Sequence, residues 1–274
     1  MSDSTQRPAM PVALTIAGSD SGGGAGIQAD LLTFAAFGVF GTSALTCVTA
    51  QNPREVTAIE PLAPEFVVRQ IKAVCEEFPV AAAKTGMLYS AAIIRAVAAA
   101  DLRQGIPILV VDPVMVAASG ARLLELDAIE ALCGELLPQA RVITPNLYEA
   151  RLLCGHAIES VEHMREAAGE IGDRYDVACV IKGGHLAGDI VTDVLYDEGQ
   201  EFVMTGPRLA AAETHGAGCA FSAAITAGLA QGLLLDNAVS RARGFVRQAL
   251  EAARPVGTHW PLHFLTRGEP QPSS

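Results

Sequence analysis

Short runs of consecutive apolar residues recur along this chain, and most segments between them repeat their apolar residues every three or four positions. The runs are typical of strands buried on both faces, and the wider spacing is typical of amphipathic helices. The runs predict strands at residues 12–17, 42–50, 80–84, 108–112, 142–144 and 178–182. The intervening patterns predict helices at residues 25–37, 64–78, 90–104, 127–137, 147–153 and 160–175. This alternation predicts an α/β fold around a mainly parallel, doubly wound sheet.

The pattern changes after Lys182. Residues 190–196 and 201–204 are separated by a short polar turn, which predicts an antiparallel hairpin. Two alanine-rich helices, at 218–231 and 236–253, are predicted to close the chain. The parallel sheet is therefore expected to end in a small antiparallel extension.

The domain organisation follows from length and composition. Half of the 274 residues are hydrophobic and 18% are charged, so the chain can bury a large core. No polar linker divides it. We expect one domain over residues 11–266, with flexible ends at 1–10 and 267–274.

The charge and the cysteines exclude several classes of protein. A net charge of -11 opposes a general nucleic-acid or anionic-membrane surface, because both would repel the protein at long range. The six cysteines form no Cys-x-x-Cys pair, no secretory leader precedes them, and no apolar stretch reaches the length of a bilayer span. We expect a cytoplasmic protein with reduced thiols and without nucleic-acid or membrane partners.

Unusual residues follow the predicted strands, where an open α/β sheet binds its ligands. The segments in question are GSDSGGGAG from Gly18, Gln51 with Asn52, KTGM from Lys84, Asp112 with Pro113, TPN from Thr144 and KGGH from Lys182. One edge of the sheet is therefore predicted to collect the chemically active groups.

The first glycine-rich segment permits two interpretations. Residues 24–29 match the pattern G-x-G-x-x-A of dinucleotide-binding loops, which makes a nicotinamide-dependent oxidoreductase one alternative. That pattern expects an acidic residue near the end of the next strand, where this chain has Gln51. The other interpretation is a tight turn between strand and helix. No Gly-Lys pair occurs, which excludes a P-loop.

A second glycine-rich segment, THGAGC from Thr214 to Cys219, directly precedes an apolar helix. The N–H groups and dipole of such a helix start can hold an anion. Cys219 lies in the first turn, where we expect a lowered thiol pKa, although a small packing residue is an equal alternative. A hydrolase pair of Cys219 with His215 lacks a third, orienting group.

Lysines and carboxylates after other strands also have alternative roles. Lys84 and Lys182 are two of only three lysines and lie beside glycines, which favours phosphate contacts over salt bridges. Glu149 follows Asn146 at the spacing of a capping box, and a group near magnesium is the alternative. Asp112 permits either an Asx turn or a charge beside a magnesium phosphate.

Seven motifs in order resemble one family: LTIAGSD from Leu14, GGAGIQAD from Gly23, AQN from Ala50, KTGML from Lys84, ITPN from Ile143, KGGH from Lys182 and THGAGC from Thr214. The chain resembles the hydroxymethylpyrimidine/phosphomethylpyrimidine kinases of the ribokinase-like superfamily from Val12 to Phe264. The resemblance implies a three-layer α/β/α sandwich, a homodimer, and transfer of phosphate from ATP to a pyrimidine alcohol and then to its monophosphate. ATP and Mg²⁺ are the implied cofactors.

The resemblance also implies roles for individual residues. Gln51 would read the amino group and ring nitrogen of the pyrimidine, because an amide both donates and accepts hydrogen bonds. The residues implied to line the same pocket are Gly18, Ala25, Asp30, Met87 and Val114. The implied anion hole is Gly216, Ala217, Gly218 and Cys219. Lys182 and Cys219 would be catalytic, and Asp112 and Glu149 would lie near magnesium.

The chain departs from the family pattern at a few positions. Gly22 stands where a serine is usual, and Ala217 and Ala220 stand where threonine is common. Related pyridoxal kinases share much of the pattern, so phosphorylation of a vitamin B6 alcohol is the nearest alternative.

Overall fold

The computed structural model describes residues 9–100, 105–115, 124, 126–209 and 215–264. Its strands are β1 Val12–Asp20, β2 Phe40–Gln51, β3 Val56–Pro61, β4 Val80–Thr85, β5 Leu109–Val111, β6 Val142–Ile143, β7 Ala178–Ile181, β8 Ile190–Asp197 and β9 Gln200–Pro207. Its helices are α1 Gly26–Ala36, α2 Pro64–Glu77, α3 Ala91–Ala98, α4 Leu126–Ala131, α5 Leu147–Cys154, α6 Val161–Tyr175, α7 Ala217–Ala230 and α8 Leu235–Glu251. Apart from Ala9 and Met10, the predicted flexible ends lie outside the described residues.

The strands form one sheet in the order β3-β2-β1-β4-β5-β6-β7-β8-β9. The pairs from β2 through β1, β4, β5 and β6 to β7 are parallel. The pairs β2–β3, β7–β8 and β8–β9 are antiparallel. The predicted parallel sheet and terminal hairpin are confirmed.

Strand β3 was absent from the prediction. It pairs with β2 at the opposite edge of the sheet from β9, after a turn at residues 52–55. All of its residues are partly or fully exposed, and it carries Glu60 and Pro61. A strand of this kind has no apolar run for a sequence pattern to detect, and only its partner β2 makes it a strand.

Helices cover both faces of the sheet, which gives the three layers. One apolar core joins the sheet to helices α2 to α6, and a second core joins it to α1, α7 and α8. Successive residues of β1 alternate between them, since Leu14 and Ile16 enter the first core and Ala13 enters the second. This burial on both faces explains why the parallel strands appear as uninterrupted apolar runs.

Two predicted helices differ from those observed. The helix predicted at 90–104 is described as α3, which begins after Ser90 and ends at Ala98, while residues 101–104 lie outside the described part. The helix predicted at 127–137 changes after α4 into a π-helical turn, Leu132–Leu136. Within the described residues, no helix combines the length and the apolarity needed to cross a bilayer.

A close backbone contact fixes the start of the loop that follows β7. The Gly183 N–H donates to Asp193 Oδ1 over 2.9 Å, and a Cβ added to Gly183 would lie 1.8 Å from the carbonyl oxygen of Thr192. Arg243 donates to the other carboxylate oxygen of Asp193 over 2.9 Å. Glycine at 183 therefore lets the chain beyond Lys182 approach β8.

Gly183→Ala should destabilise the protein, because its methyl group forces the chain away from β8. Overpacking of this kind costs about 1–3 kcal/mol, and we expect a lower Tm in thermal unfolding. Gly184→Ala is the matched control: a Cβ at Gly184 meets no atom within 4 Å, so its Tm should stay close to that of the parent. Equal Tm values for the two variants would contradict this account of Gly183.

Candidate active site

A cavity opens at the carboxyl ends of β1, β2 and β4. Five of the six residues implied by the resemblance to bind substrate lie on its wall: Gly18, Ala25, Gln51, Met87 and Val114. Cys219, from the first turn of α7, also lines it. The strand ends and the start of α7 therefore meet in one place, as the parallel topology requires.

Asp30, the sixth implied residue, does not line this cavity. It lies on α1 and its side chain is fully buried between the helix and the sheet. Its carboxylate accepts from Thr15 over 2.6 Å and from Lys84 Nζ over 2.8 Å. Packing against the sheet places Asp30 beneath the cavity, where it holds the lysine.

Lys84 occupies the position next to the cavity that was expected for Asp30. Its side chain is completely shielded from bulk solvent, yet it borders the cavity together with Cys219. Burial alone would lower the pKa of Lys84, but Asp30 and other nearby groups outweigh that effect and raise it. The structure thus gives Lys84 the salt bridge that was the alternative to a phosphate contact.

The backbone of Gln51 is fixed at the end of β2. Its N–H donates to Ser21 Oγ over 2.8 Å, and that hydroxyl donates to the Gln51 carbonyl oxygen at the same distance. Thr49 Oγ1 donates to the side-chain oxygen Oε1 over 3.2 Å. These bonds orient the amide at the cavity wall.

The first turn of α7 has the geometry of an anion site. Gly216 is the N-cap residue with φ 81, a left-handed conformation that favours glycine. The N–H groups of Ala217, Gly218 and Cys219 belong to the first turn, which has no intrahelical acceptors for them. The implied anion hole is therefore a continuous run of helix-start amides.

The thiol of Cys219 differs from its sequence-based expectation. Burial raises its pKa to about 11, although the neighbouring Lys84 ammonium acts in the opposite direction. The expectation of a lowered pKa is wrong because loss of water around the thiolate outweighs the effect of the helix start. The Cys219 thiol therefore keeps its proton at physiological pH.

A second buried ion pair lies beside the anion site. Lys182 Nζ donates to Asp112 Oδ1 over 2.8 Å, and a Cβ added to Gly218 would lie 3.4 Å from that Nζ. Thr144 Oγ1 donates to Asp112 Oδ1 over 3.1 Å, and Ser222 Oγ donates to Oδ2 over 3.2 Å. Lys182 therefore presents its positive charge to the start of α7.

Glu149 forms the capping box that was one of its two alternatives. It completes a capping box with Asn146, since its Oε2 accepts from the Asn146 N–H over 2.8 Å and its own N–H donates to Asn146 Oδ1 over 3.0 Å. It also lies close to the pair of Asp112 and Lys182. Burial raises the pKa of Glu149 to about 7; Lys182 lowers it and Asp112 raises it further.

The two glycine-rich segments touch each other. We name residues 20–26 the first glycine loop and residues 215–219 the second glycine loop. A Cβ added to Gly216 would lie 1.8 Å from the carbonyl oxygen of Gly24. Asp20 accepts hydrogen bonds within the first loop and from His215 in the second. Sequence reasoning weighed His215 only as a partner of Cys219 and missed its contact with Asp20, although an aspartate two residues before a glycine is typical of an Asx turn.

A cavity beside a helix-start anion site, at the carboxyl edge of a parallel sheet, is the arrangement of a small-molecule kinase with a ribokinase-like fold. The family model described as phosphomethylpyrimidine kinase matches residues 20–263. The chain belongs to this family and is a kinase.

Named relatives agree with this assignment. The hydroxymethylpyrimidine/phosphomethylpyrimidine kinase of Rhizobium meliloti is 49% identical over 243 residues, covering 88% of this chain and 91% of the relative. The thiamine biosynthesis bifunctional protein ThiED of Geobacter sulfurreducens is 45% identical over 93% of this chain, which spans only 52% of that protein. The ADP complex of Bacillus subtilis pyridoxal kinase has a TM-score of 0.86 and 38% identity, covering 93% of this chain and 97% of that one.

The raised pKa of Glu149 predicts a pH-dependent cost to stability. Above pH 4.5 the unfolded chain ionises this carboxyl, whereas the folded protein keeps its proton up to about pH 7, so stability is lost across that window. Glu149→Gln keeps a capping acceptor and removes the titration. The Tm of the variant minus that of the parent should rise from pH 4.5 to 7 and then level off. Thermal unfolding with chelator tests this, and a difference independent of pH would contradict it.

Proposed function

We propose that this kinase phosphorylates 4-amino-5-hydroxymethyl-2-methylpyrimidine, and then its monophosphate, with ATP, as a step of thiamine biosynthesis. The observation that carries the proposal is the cavity lined both by Gln51 and by Cys219, which lies in the first turn of α7. An alcohol bound there has its oxygen next to the place where phosphate is held. The names of the relatives support the pyrimidine as substrate.

The chemistry is an in-line transfer. The alcohol oxygen attacks the γ-phosphorus of ATP, the bond to the β-phosphate oxygen breaks, and ADP leaves. The N–H groups of Gly216, Ala217 and Gly218 and the Lys182 ammonium stabilise the negative charge that develops on the phosphoryl oxygens. In the second step, the phosphate of the monophosphate is the nucleophile.

The thiolate form of Cys219 is the group that receives the alcohol proton. Its position at the cavity and at the helix start brings the sulfur to the reacting oxygen. Because burial raises the pKa of this thiol to about 11, it first has to lose its own proton to solvent, and the thiolate so formed takes the alcohol proton as the oxygen attacks. If the sulfur instead only positions the alcohol, the proton leaves with solvent.

The donor set fits a magnesium ion that is shared with the nucleotide. The described residues contain no cluster of three or more acidic, histidine or cysteine side chains suited to a metal. Magnesium is usually held by one or two carboxylates and the phosphates of the substrate, and two buried carboxylates are present. Asp112 and Glu149 would hold it through water, since Lys182, Thr144, Ser222 and backbone N–H groups occupy their oxygens. Magnesium would neutralise charge on the phosphates.

Pyridoxal is the second candidate substrate, because a pyridoxal kinase is among the structural relatives. Gln51 favours the aminopyrimidine: an amide can donate to a ring nitrogen and accept from the adjacent amino group at once.

The choice between the two substrates is tested by measuring the turnover of ATP with each alcohol, with and without Mg²⁺. A higher kcat/KM for pyridoxal would reject the pyrimidine assignment, and tight NADH binding without ATP turnover would reject the kinase assignment.

A cytoplasmic homodimer completes the proposal. All six cysteines are free of disulfide bonds, as expected of a reducing compartment. The net charge of -11 supports small-molecule partners over nucleic acid or membrane. Light scattering at assay concentration tests the dimer, which a monomer mass would reject.

Gln51→Leu should raise the KM for the pyrimidine and leave the KM for ATP unchanged. The leucine has a similar size but leaves the amino-pyrimidine edge unpaired, at a cost of about 1–3 kcal/mol. Steady-state kinetics with each substrate varied in turn measures both constants. An unchanged pyrimidine KM would place the alcohol elsewhere.

Cys219→Ala should lower kcat by about 10²–10⁴-fold with substrate binding largely kept, as for loss of a general base. Cys219→Ser keeps a polar group of similar size. If the sulfur takes the proton, this variant should be as slow as Cys219→Ala; if the sulfur only positions the alcohol, it should stay active. The pH profile adds a second test, because a base with a raised pKa makes kcat increase toward alkaline pH. A fully active, merely less stable Cys219→Ala protein would leave the sulfur a packing role.

A further inference from the structure

The side chain of Asp20 accepts four hydrogen bonds, three from its own loop and one from a distant part of the chain. Its side chain is 3% exposed, and both carboxylate oxygens are used. Oδ1 accepts from the Gly22 N–H over 2.8 Å, while Oδ2 accepts from the N–H groups of Gly24 and Ala25 over 3.1 and 2.9 Å. This single carboxylate therefore shapes the whole first glycine loop.

The fourth donor to Asp20 comes from the other end of the chain. His215 Nε2 lies 3.1 Å from Asp20 Oδ2, across a sequence separation of 195 residues. Burial alone would raise the pKa of Asp20, but the bonds from His215, Gly22 and Ala25 lower it. Because an ionised carboxylate only accepts, the hydrogen lies on Nε2 of the histidine. The bond is thus charge-assisted.

Steric contacts reinforce this hydrogen bond. A Cβ added to Gly24 would lie 2.7 Å from His215 Cδ2, so the imidazole rests directly on the first glycine loop. The next residue, Gly216, also lies against the first glycine loop, and the carbonyl oxygen of Gly24 leaves no room for a side chain at position 216. The two loops are therefore held by a ring contact, a backbone contact and one ionic hydrogen bond.

Each loop holds a different reactant in the proposed reaction. Ala25 of the first glycine loop lines the alcohol cavity, and the second glycine loop carries the anion-binding amides and Cys219. We propose that Asp20 and His215 are positioning residues that keep these loops in register, so that the alcohol oxygen and the γ-phosphorus stay aligned. Neither the Asp20 nor the His215 side chain takes part in a chemical step of that reaction. The inference rests on the proposed phosphoryl transfer.

Two substitutions at His215 separate its hydrogen bond from its bulk. His215→Phe keeps a ring over Gly24 but removes the donor, and His215→Gln keeps an amide donor near the position of Nε2. A loss of alignment of about 1 Å reduces turnover by about 10²-fold, so we expect His215→Phe to lower kcat on that scale with both KM values little changed. His215→Gln should recover most of the activity. His156→Phe, at an exposed histidine paired with Glu170, is the control and should retain the parent kcat.

A double-mutant cycle tests whether Asp20 acts through the same bond. Asp20→Asn combined with His215→Phe should be no slower than the worse single variant, because both remove one interaction. Losses that multiply would contradict the proposal, as would a parental kcat in His215→Phe or an equal loss in His215→Gln.

Alkylation of Cys219 by iodoacetamide gives a readout that needs no turnover. In the ligand-free His215→Phe protein, separated loops should expose Cys219, so its alkylation rate should rise severalfold relative to that of Cys75 on α2. His215→Gln should keep the parental ratio. If the parent protein fails to turn over ATP with the pyrimidine, the proposed function is rejected, and this ratio still decides whether His215 holds the two loops together. A parental ratio in His215→Phe would overturn that role.

Discussion

The contact between the two glycine-rich loops is the constraint on which the rest of the site depends. A Cβ at Gly216 would meet the Gly24 carbonyl oxygen and a Cβ at Gly24 would meet the His215 ring, and this contact places the end of β1 against the start of α7. The cavity and the anion-binding amides share a boundary there. Glycine is needed because backbone has to lie against backbone at that boundary.

Two buried lysine–aspartate pairs supply the electrostatics on either side of this boundary. Lys84 with Asp30 lies beneath the cavity, and Lys182 with Asp112 lies beside the anion site. Burying such a pair is expensive, and removing one partner costs more than removing both. A chain with a net charge of -11 thus keeps two lysine ammonium groups at the carboxyl edge of the sheet.

The structure assigns the lysines and carboxylates of the site to different tasks. Lys182 faces the helix start, whereas Lys84 is bound to Asp30 and acts on its surroundings through charge. Glu149 both caps α5 and adds a titratable group near Lys182. One residue therefore serves local folding and the electrostatics of the site together, which explains why a capping motif alone did not decide its role.

The sequence by itself determined the parallel sheet, the terminal hairpin and the family, and it pointed to the edge of the sheet at which the cavity opens. These follow from local patterns: apolar runs in doubly buried strands, glycines at turns, and seven motifs in the order of the family that they resemble. Tertiary structure alone decided that β3 is a strand, that Asp30 lies under Lys84, that the Cys219 thiol has a raised pKa, and that Asp20 meets His215. Pairing with a neighbour, burial and contacts across 195 residues depend on how distant segments pack, and no local pattern records them.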